Sequence, residues 1–230
     1  MKTLGIIGGV GPASTAEFYL KISYDCQRQN DVQRPPIVIA SVPAPYAVER
    51  DIILHNKNHY TPLLVAEAKR LEKAEAHFLV MPCNTLHCDM EAIREAVDIP
   101  VMSIVDEAIA HVRTKGYKKV GLVATAATVE RNIYSDVFKS NKIGFLVPNT
   151  EEQAGLNKLI INLVDGKYLE NDRKFLHGVI DKLKAQGADC IALACTDLQL
   201  LKPEQDRNDI PIFDTMAVLA EAALKEILSA

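Results

Sequence analysis

Two similar stretches of this sequence decide the fold: FLVMPCNT at residues 78–85 and IALACT at residues 191–196. In both, a short apolar run ends at a cysteine, and small polar residues follow it. An Ile-Pro step comes at a similar distance after each, with Ile99 16 residues beyond the first cysteine and Ile210 15 beyond the second. Two copies of one open parallel α/β unit are the simplest explanation.

Apolar runs recur along the whole chain and are separated by segments with helical spacing. Residues 66–76, for example, divide into an inner face with Ala68 and Leu71 and an outer face with Lys69 and Lys73. Near-continuous apolar runs that alternate with helices are typical of parallel strands covered on both faces. The predicted strands are 4–7, 37–40, 78–81, 101–104, 120–123, 144–147, 190–194 and 212–213.

The sequence therefore predicts an α/β fold of two pseudo-symmetric, open parallel-sheet domains that are Rossmann-like, with a site in the cleft between them. We expect an N-terminal domain over residues 1–103 plus 215–230, which carries Cys83, and a C-terminal domain over residues 104–214, which carries Cys195. A chain of 230 residues is long enough for one large or two small domains.

Composition narrows the classes of partner. Lys and Arg number 26 against 30 Asp and Glu, and no long basic run occurs, so we expect neither nucleic acid nor a membrane as partner. Glycines interrupt the apolar N-terminus after a few residues, so we predict neither a signal peptide nor a membrane span, and a cytoplasmic location. The five cysteines match no common zinc framework, which favours free thiols and predicts no metal site.

Cys83 and Cys195 each fall at the end of a predicted strand, where ligands bind in open parallel sheets. A thiol there lies near free backbone N–H groups and the positive end of a helix, which lower its pKa and favour the thiolate. If the two domains face each other, one substrate carbon can have a sulfur on each side. The alternative for any cysteine is a small buried side chain, and we assign that role to Cys26, Cys88 and Cys190.

A sulfur on each face of one carbon suits removal of a proton from a stereocentre on one side and its return from the other. The α proton of an amino acid is very weakly acidic, so the site must also stabilise an enolate-like carboxylate with fixed donors. Such donors contribute roughly 3 to 4 kcal/mol each in known oxyanion holes. Asn84, Thr85 and Thr196 are the candidates that flank the two cysteines.

Four motifs together carry a resemblance that covers essentially the whole chain. They are GGVGP at 8–12, MPCNT-x-H at 81–87, AT-x-x-T at 124–128 and ACTD at 194–197, and in this order they resemble the aspartate/glutamate racemase family. The resemblance implies an isomerase that acts on a small amino acid, with the two cysteines as acid and base. It also implies a homodimer and no cofactor, neither pyridoxal phosphate nor a metal.

The resemblance further implies a set of substrate-binding residues. Val10 in the glycine loop would line the site, and the residues that would bind the α-carboxylate or the amino group are Asn84, Thr85, Thr125, Thr128 and Thr196. A dinucleotide fingerprint is the other interpretation of GGVGP, but Pro12 would remove an N–H from the phosphate-binding turn.

Side-chain specificity is predicted from two further positions. Arg50 is the match for an arginine that holds a side-chain carboxylate in aspartate-specific members, by a charge-assisted bond. Where a lysine is expected in the second domain, the sequence has Asp165, and Lys167 two residues later is the candidate replacement. We expect L-aspartate and D-aspartate to be interconverted. The alternatives are a glutamate or broad-specificity racemase, a hydantoin-type racemase or related two-cysteine isomerase, and a sensor without activity.

Overall fold

The computed structural model describes residues 1–29, 32–206 and 209–229. In this part of the chain, two four-stranded sheets form, each with all of its strand pairs parallel. The strand order is β2-β1-β3-β4 in the first sheet and β6-β5-β7-β8 in the second. The strands are β1 Leu4–Gly8, β2 Ile37–Ser41, β3 Phe78–Val80, β4 Val101–Met102, β5 Lys119–Ala124, β6 Gly144–Leu146, β7 Cys190–Ala194 and β8 Ile212–Asp214.

Helices connect the strands and cover both faces of the sheets. Short 3-10 helices occupy Thr85–Asp89, Leu198–Leu201 and Pro203–Asp206. The α-helices of the described residues are α1 Pro12–Gln29, α2 Tyr46–His55, α3 Thr61–Lys73, α4 Met90–Ala96, α5 Ile104–Lys115, α6 Ala126–Glu130, α7 Ser135–Ser140, α8 Thr150–Val164, α9 Glu170–Ala185 and α10 Thr215–Leu228.

The predicted fold class is confirmed, and each predicted strand coincides with an observed one. Most strand ends agree with the prediction to within one residue, but one is wrong by two: β4 ends at Met102 rather than at Ile104. Ser103 is the cause, because its hydroxyl accepts a hydrogen bond from the backbone N–H of Asp106 and so begins α5. Ile104 is fully buried, but as the first residue of a helix.

The internal repeat is visible in how the two sheets pack against their helices. Gly5 lies beside Leu79 in the first sheet, and Gly121 lies beside Ile191 in the second. A Cβ atom at Gly5 would be 2.5 Å from Leu79 Cδ2, and one at Gly121 would be 2.6 Å from Ile191 Cδ1. Both glycines therefore let a neighbouring leucine or isoleucine fill the same place in each half of the molecule.

The two halves are joined through helices as well as by the chain. The C-terminal helix α10 packs against α1 and α5. The backbone N–H of Lys2 donates a hydrogen bond of 2.9 Å to the carbonyl of Ile227, which ties the two ends of the described chain together. The domain limits at residues 103/104 and 214/215 stay a prediction. Of the described helices, none has the length and apolar character that a membrane span needs.

The close packing around Gly121 gives a stability prediction. Gly121→Ala is expected to lower the free energy of unfolding by about 1–3 kcal/mol, because the added methyl group overpacks the contact with Ile191. Gly178→Ala in α9 is the matched control, because a Cβ there meets no atom within 4 Å. It should stabilise the protein by about 0.5–1 kcal/mol through helix propensity. Urea denaturation measures both, and equal effects at the two sites would contradict the packing.

Candidate active site

Cys83 and Cys195 line one cleft, at the carboxyl ends of β3 and β7. The cleft contains about 420 Å³ of empty space, part of which is open to solvent. Cys195 is buried, with 6% of its surface exposed, and Cys83 is partly exposed. The predicted meeting of the two thiols in a single cleft is therefore observed.

Each sulfur has two backbone N–H groups as hydrogen-bond donors, and these occupy equivalent positions in the two halves. The N–H groups of Thr85 and Leu86 donate to the Cys83 sulfur. Those of Asp197 and Leu198 donate to the Cys195 sulfur. In both cases the donors are the second and third residues after the cysteine, where the chain enters a short 3-10 helix.

The expectation of a lowered thiol pKa is wrong. Burial, together with the charges of Asp197 and Glu49, raises the pKa of Cys83 to about 12, although the N–H donors act to lower it. Burial also raises the pKa of Cys195 well above its usual value, and the charges of Asp197 and Cys83 act in the same direction. The predicted N–H donors are present, but desolvation outweighs them, so both cysteines are thiols before a ligand binds.

The charge of Asp197 raises the pKa of both thiols, and the sequence analysis did not assign this residue a role. Its carboxylate is buried and accepts a hydrogen bond of 2.7 Å from the hydroxyl of Ser14 on α1, across the cleft. Burial raises the pKa of Asp197, and the Ser14 hydrogen bond lowers it. A Cβ at Gly11 would lie 3.3 Å from the Asp197 carboxylate, so the glycine loop passes directly over this group.

Three threonine hydroxyls form a cluster on the other side of the cleft. The oxygen of Thr85 lies 3.0 Å from those of Thr125 and Thr128, and the latter two lie 2.9 Å apart. Thr125 also begins α6 by accepting a hydrogen bond from the N–H of Thr128. All three are buried, and Thr85 and Thr125 line the cleft. The structure thus brings together three of the residues predicted to bind substrate.

Of the other predicted residues around the cysteines, two line the cleft, and a third also binds side chains outside it. Val10 and Thr196 line the cleft. Asn84 lines it too, but its side-chain oxygen accepts a hydrogen bond of 2.5 Å from the Tyr134 hydroxyl, and its amide donates to Thr215 at 3.1 Å. Asn84 therefore holds the Cys83 turn against the second half of the molecule.

Buried His87 also fixes the position of Cys83. Its Nδ1 lies 2.7 Å from the carbonyl oxygen of Cys83, and its Nε2 accepts the backbone N–H of Ile104 at 3.0 Å. Burial lowers the pKa of His87 to about 4, so the ring is neutral, with its proton on Nδ1. Both ring nitrogens have partners, so His87 positions the cysteine and does not exchange protons with it.

Arg50 and Lys167 lie at the rim of the cleft, and both bind Asp165. Arg50 lies on α2, not in a loop, and its guanidinium is 2.8 Å from one Asp165 oxygen. Lys167 is 3.1 Å from the other oxygen. Glu49, next to Arg50, lines the cleft and accepts a hydrogen bond of 3.3 Å from the N–H of Gly11. The two predicted cations, Arg50 and Lys167, thus share one carboxylate, that of Asp165.

Sequence reasoning missed Asp197 and Glu49, although each is adjacent to a residue that it had selected. The signal for Asp197 was its place in the ACTD motif, two residues after a cysteine. Within residues 1–29, 32–206 and 209–229, no group of three His, Cys, Asp or Glu side chains is arranged to hold a metal ion.

Comparison with known proteins assigns the chain to a family. Residues 7–223 match the family described as Asp/Glu/Hydantoin racemase. The chain belongs to this racemase family. It is 30% identical, over 98% of both chains, to the broad specificity amino-acid racemase RacX of Bacillus subtilis (strain 168).

Solved structures of racemase homologues share the fold. An aspartate racemase homologue from Pyrococcus horikoshii OT3 superposes with a TM-score of 0.79 at 26% identity, over the full length of both chains. The Picrophilus torridus aspartate racemase gives a TM-score of 0.81 at 24% identity, over 99% of this chain and 94% of that one. The predicted family is therefore confirmed, and the homologues are racemases, which are isomerases.

The neutral His87 of this racemase-family chain gives a pH prediction. Unfolded histidine binds a proton below pH 6.5, whereas folded His87 does so only near pH 4. Stability is therefore present above pH 6.5 and is lost as the pH falls towards 4, by up to about 3 kcal/mol. His87→Gln, measured by urea denaturation at pH 7 and 4.5, should lose less stability on acidification than the wild type. His59→Gln, on an exposed side chain, is the control. An equal loss in wild type and His87→Gln would contradict the assignment.

Proposed function

We propose that this chain racemises free amino acids by moving the α proton between Cys83 and Cys195. The observation that carries the proposal is the equivalence of the two thiols. Each ends a buried strand, each accepts two N–H groups, and both line one cleft. A thiolate on one face of the α carbon removes the proton, and a thiol on the other face returns one. The roles exchange for the other enantiomer.

The groups beside the thiols suggest how the substrate is oriented. Thr85 and Asp197 occupy equivalent positions, each two residues after its cysteine. The hydroxyl cluster around Thr85 and the N–H groups near it offer donors for the α-carboxylate, whose negative charge grows as the proton leaves. The Asp197 carboxylate offers an acceptor for the α-ammonium group. One side of the cleft thus suits an anion and the other a cation.

Binding of the ammonium group would also activate the thiols. The Asp197 charge raises the pKa of both cysteines. A substrate ammonium beside Asp197 offsets that charge, and so favours one thiolate at the moment when it is needed. The reactive anion is then formed in the presence of substrate and not in the resting protein.

Aspartate as the preferred substrate stays a prediction. Arg50, the residue expected to hold a side-chain carboxylate, is bound to Asp165 in this structure, so Asp165 would compete with that carboxylate. Of the alternatives, a sensor without activity has no support, since both thiols are in place in the cleft. The homodimer and the cytoplasmic location belong to the same proposal.

Loss of either thiol tests the two-base mechanism. Cys83→Ser and Cys195→Ser should each lower racemisation by at least about 10³-fold, because one face of the α carbon loses its proton carrier. The measurement is circular dichroism of the amino acid, with deuterium incorporation at the α carbon followed by NMR in deuterated water. Cys88→Ser, five residues from Cys83 but outside the cleft lining, is the matched control and should retain activity. Retained turnover in either active-site variant would remove the assignment.

Asp197→Asn should make the Cys83 thiol more reactive and substrate binding weaker. The pKa of Cys83 should fall, because a negative charge beside the thiol is removed, and alkylation by iodoacetamide should become faster at pH 8. The KM for amino acid should rise by at least about tenfold, because the ammonium group loses a charged acceptor. A purely structural role for Asp197 would change stability without lowering the alkylation pKa, and that result would contradict the proposal.

A further inference from the structure

Beside the cleft lies a second recess, here called the outer groove and bounded by Tyr46, Glu49, Arg50, Asp165 and Lys167. Glu49 and Val164 line both the cleft and the outer groove, so the two spaces are adjacent. The inference rests on the proposed function: if the α carbon lies between the thiols, the outer groove is the place for the amino-acid side chain.

The walls on this route change from apolar to acidic. Ile52, Ile53, Ile160 and Val164 line the cleft, and they suit the methylene groups of a long side chain. Glu49 follows at the junction with the outer groove. Its N–H partner occupies one carboxylate oxygen. A side chain with an apolar stem and a polar end would match this order.

Two acidic side chains, Glu49 and Asp197, line the cleft, and no basic side chain of the described residues lines it. Burial raises the pKa of Glu49, as do the charges of Asp197 and Asp165, while the Gly11 N–H and the Arg50 charge lower it. In the outer groove, Arg50 and Lys167 are both bound to Asp165, one on each oxygen. A substrate carboxylate at the end of the cleft would compete with Asp165 for these cations and would lie close to Glu49.

We propose that the side-chain end of the cleft selects a cationic side chain, an ammonium or guanidinium group, with Glu49 and Asp165 as the specificity-determining carboxylates. A cation gains the Glu49 carboxylate directly and breaks no ion pair, because Asp165 already holds Arg50 and Lys167. This inference competes with the aspartate expectation of the sequence, and it accounts for an acid at position 165, where that expectation needed a base.

The test compares four substrates by α-deuterium incorporation in deuterated water: L-lysine, L-arginine, L-aspartate and L-norleucine, which has an uncharged stem. We expect kcat/KM for lysine or arginine to exceed that for norleucine and for aspartate by at least about tenfold. Exchange that is fastest with aspartate would overturn this inference and leave the racemase proposal standing. Exchange with none of a full set of amino acids would overturn the racemase proposal itself.

Variants at the two carboxylates make the test specific to the groove. Glu49→Gln should lower the lysine-to-norleucine ratio of kcat/KM about tenfold, and Asp165→Lys should lower the lysine-to-aspartate ratio by at least as much. Asp98→Asn is the matched control, because this exposed carboxylate precedes β4 at the opposite end of the sheet. Ratios that do not change in Glu49→Gln and Asp165→Lys would overturn the assignment of these residues.

Discussion

Burial of two thiols and a carboxylate in one cleft is the constraint on which the site depends. Cys83, Cys195 and Asp197 are held within reach of each other's charge, in a region that the surrounding protein largely desolvates. Two N–H groups per sulfur favour a thiolate, but desolvation and Asp197 oppose it more strongly. The resting state is therefore neutral at sulfur, and a charge develops there only when a ligand changes the balance.

The repeat of one half of the molecule in the other explains why this constraint is met twice. Gly5 and Gly121 admit equivalent side chains, and the cysteines end equivalent strands with equivalent N–H donors. In the proposed mechanism, symmetry of this kind gives a stereocentre two similar proton carriers. The two residues that break it, Thr85 and Asp197, give the cleft one side that donates hydrogen bonds and one that is anionic, so a zwitterion has a defined direction.

The sequence was sufficient for the fold and for the meeting of the two cysteines in one cleft, because both are encoded locally. Apolar runs identified the strands, and a cysteine directly after a buried run has a fixed place at the edge of a parallel sheet. The thiol pKa was not predictable, since burial depends on how the two halves close over Cys83. The partners of Asn84 were missed for the same reason: Tyr134 and Thr215 are distant in sequence and meet it only in the folded chain.

The side-chain end of the cleft follows different rules from the centre. It is built from α2 and from the end of α8, which follow the second strand of each sheet and pack against each other. These elements also occupy equivalent places, yet they present Arg50 in one half and Asp165 in the other, which pair across the groove. Asp165 also binds Lys167, so one carboxylate occupies both cations of the groove, and Glu49 is the charged side chain that the cleft presents at its junction with the groove. Specificity can therefore change by substitution in these two helices while the thiols, their N–H donors and the hydroxyl cluster stay as they are, because none of those groups lies on α2 or α8.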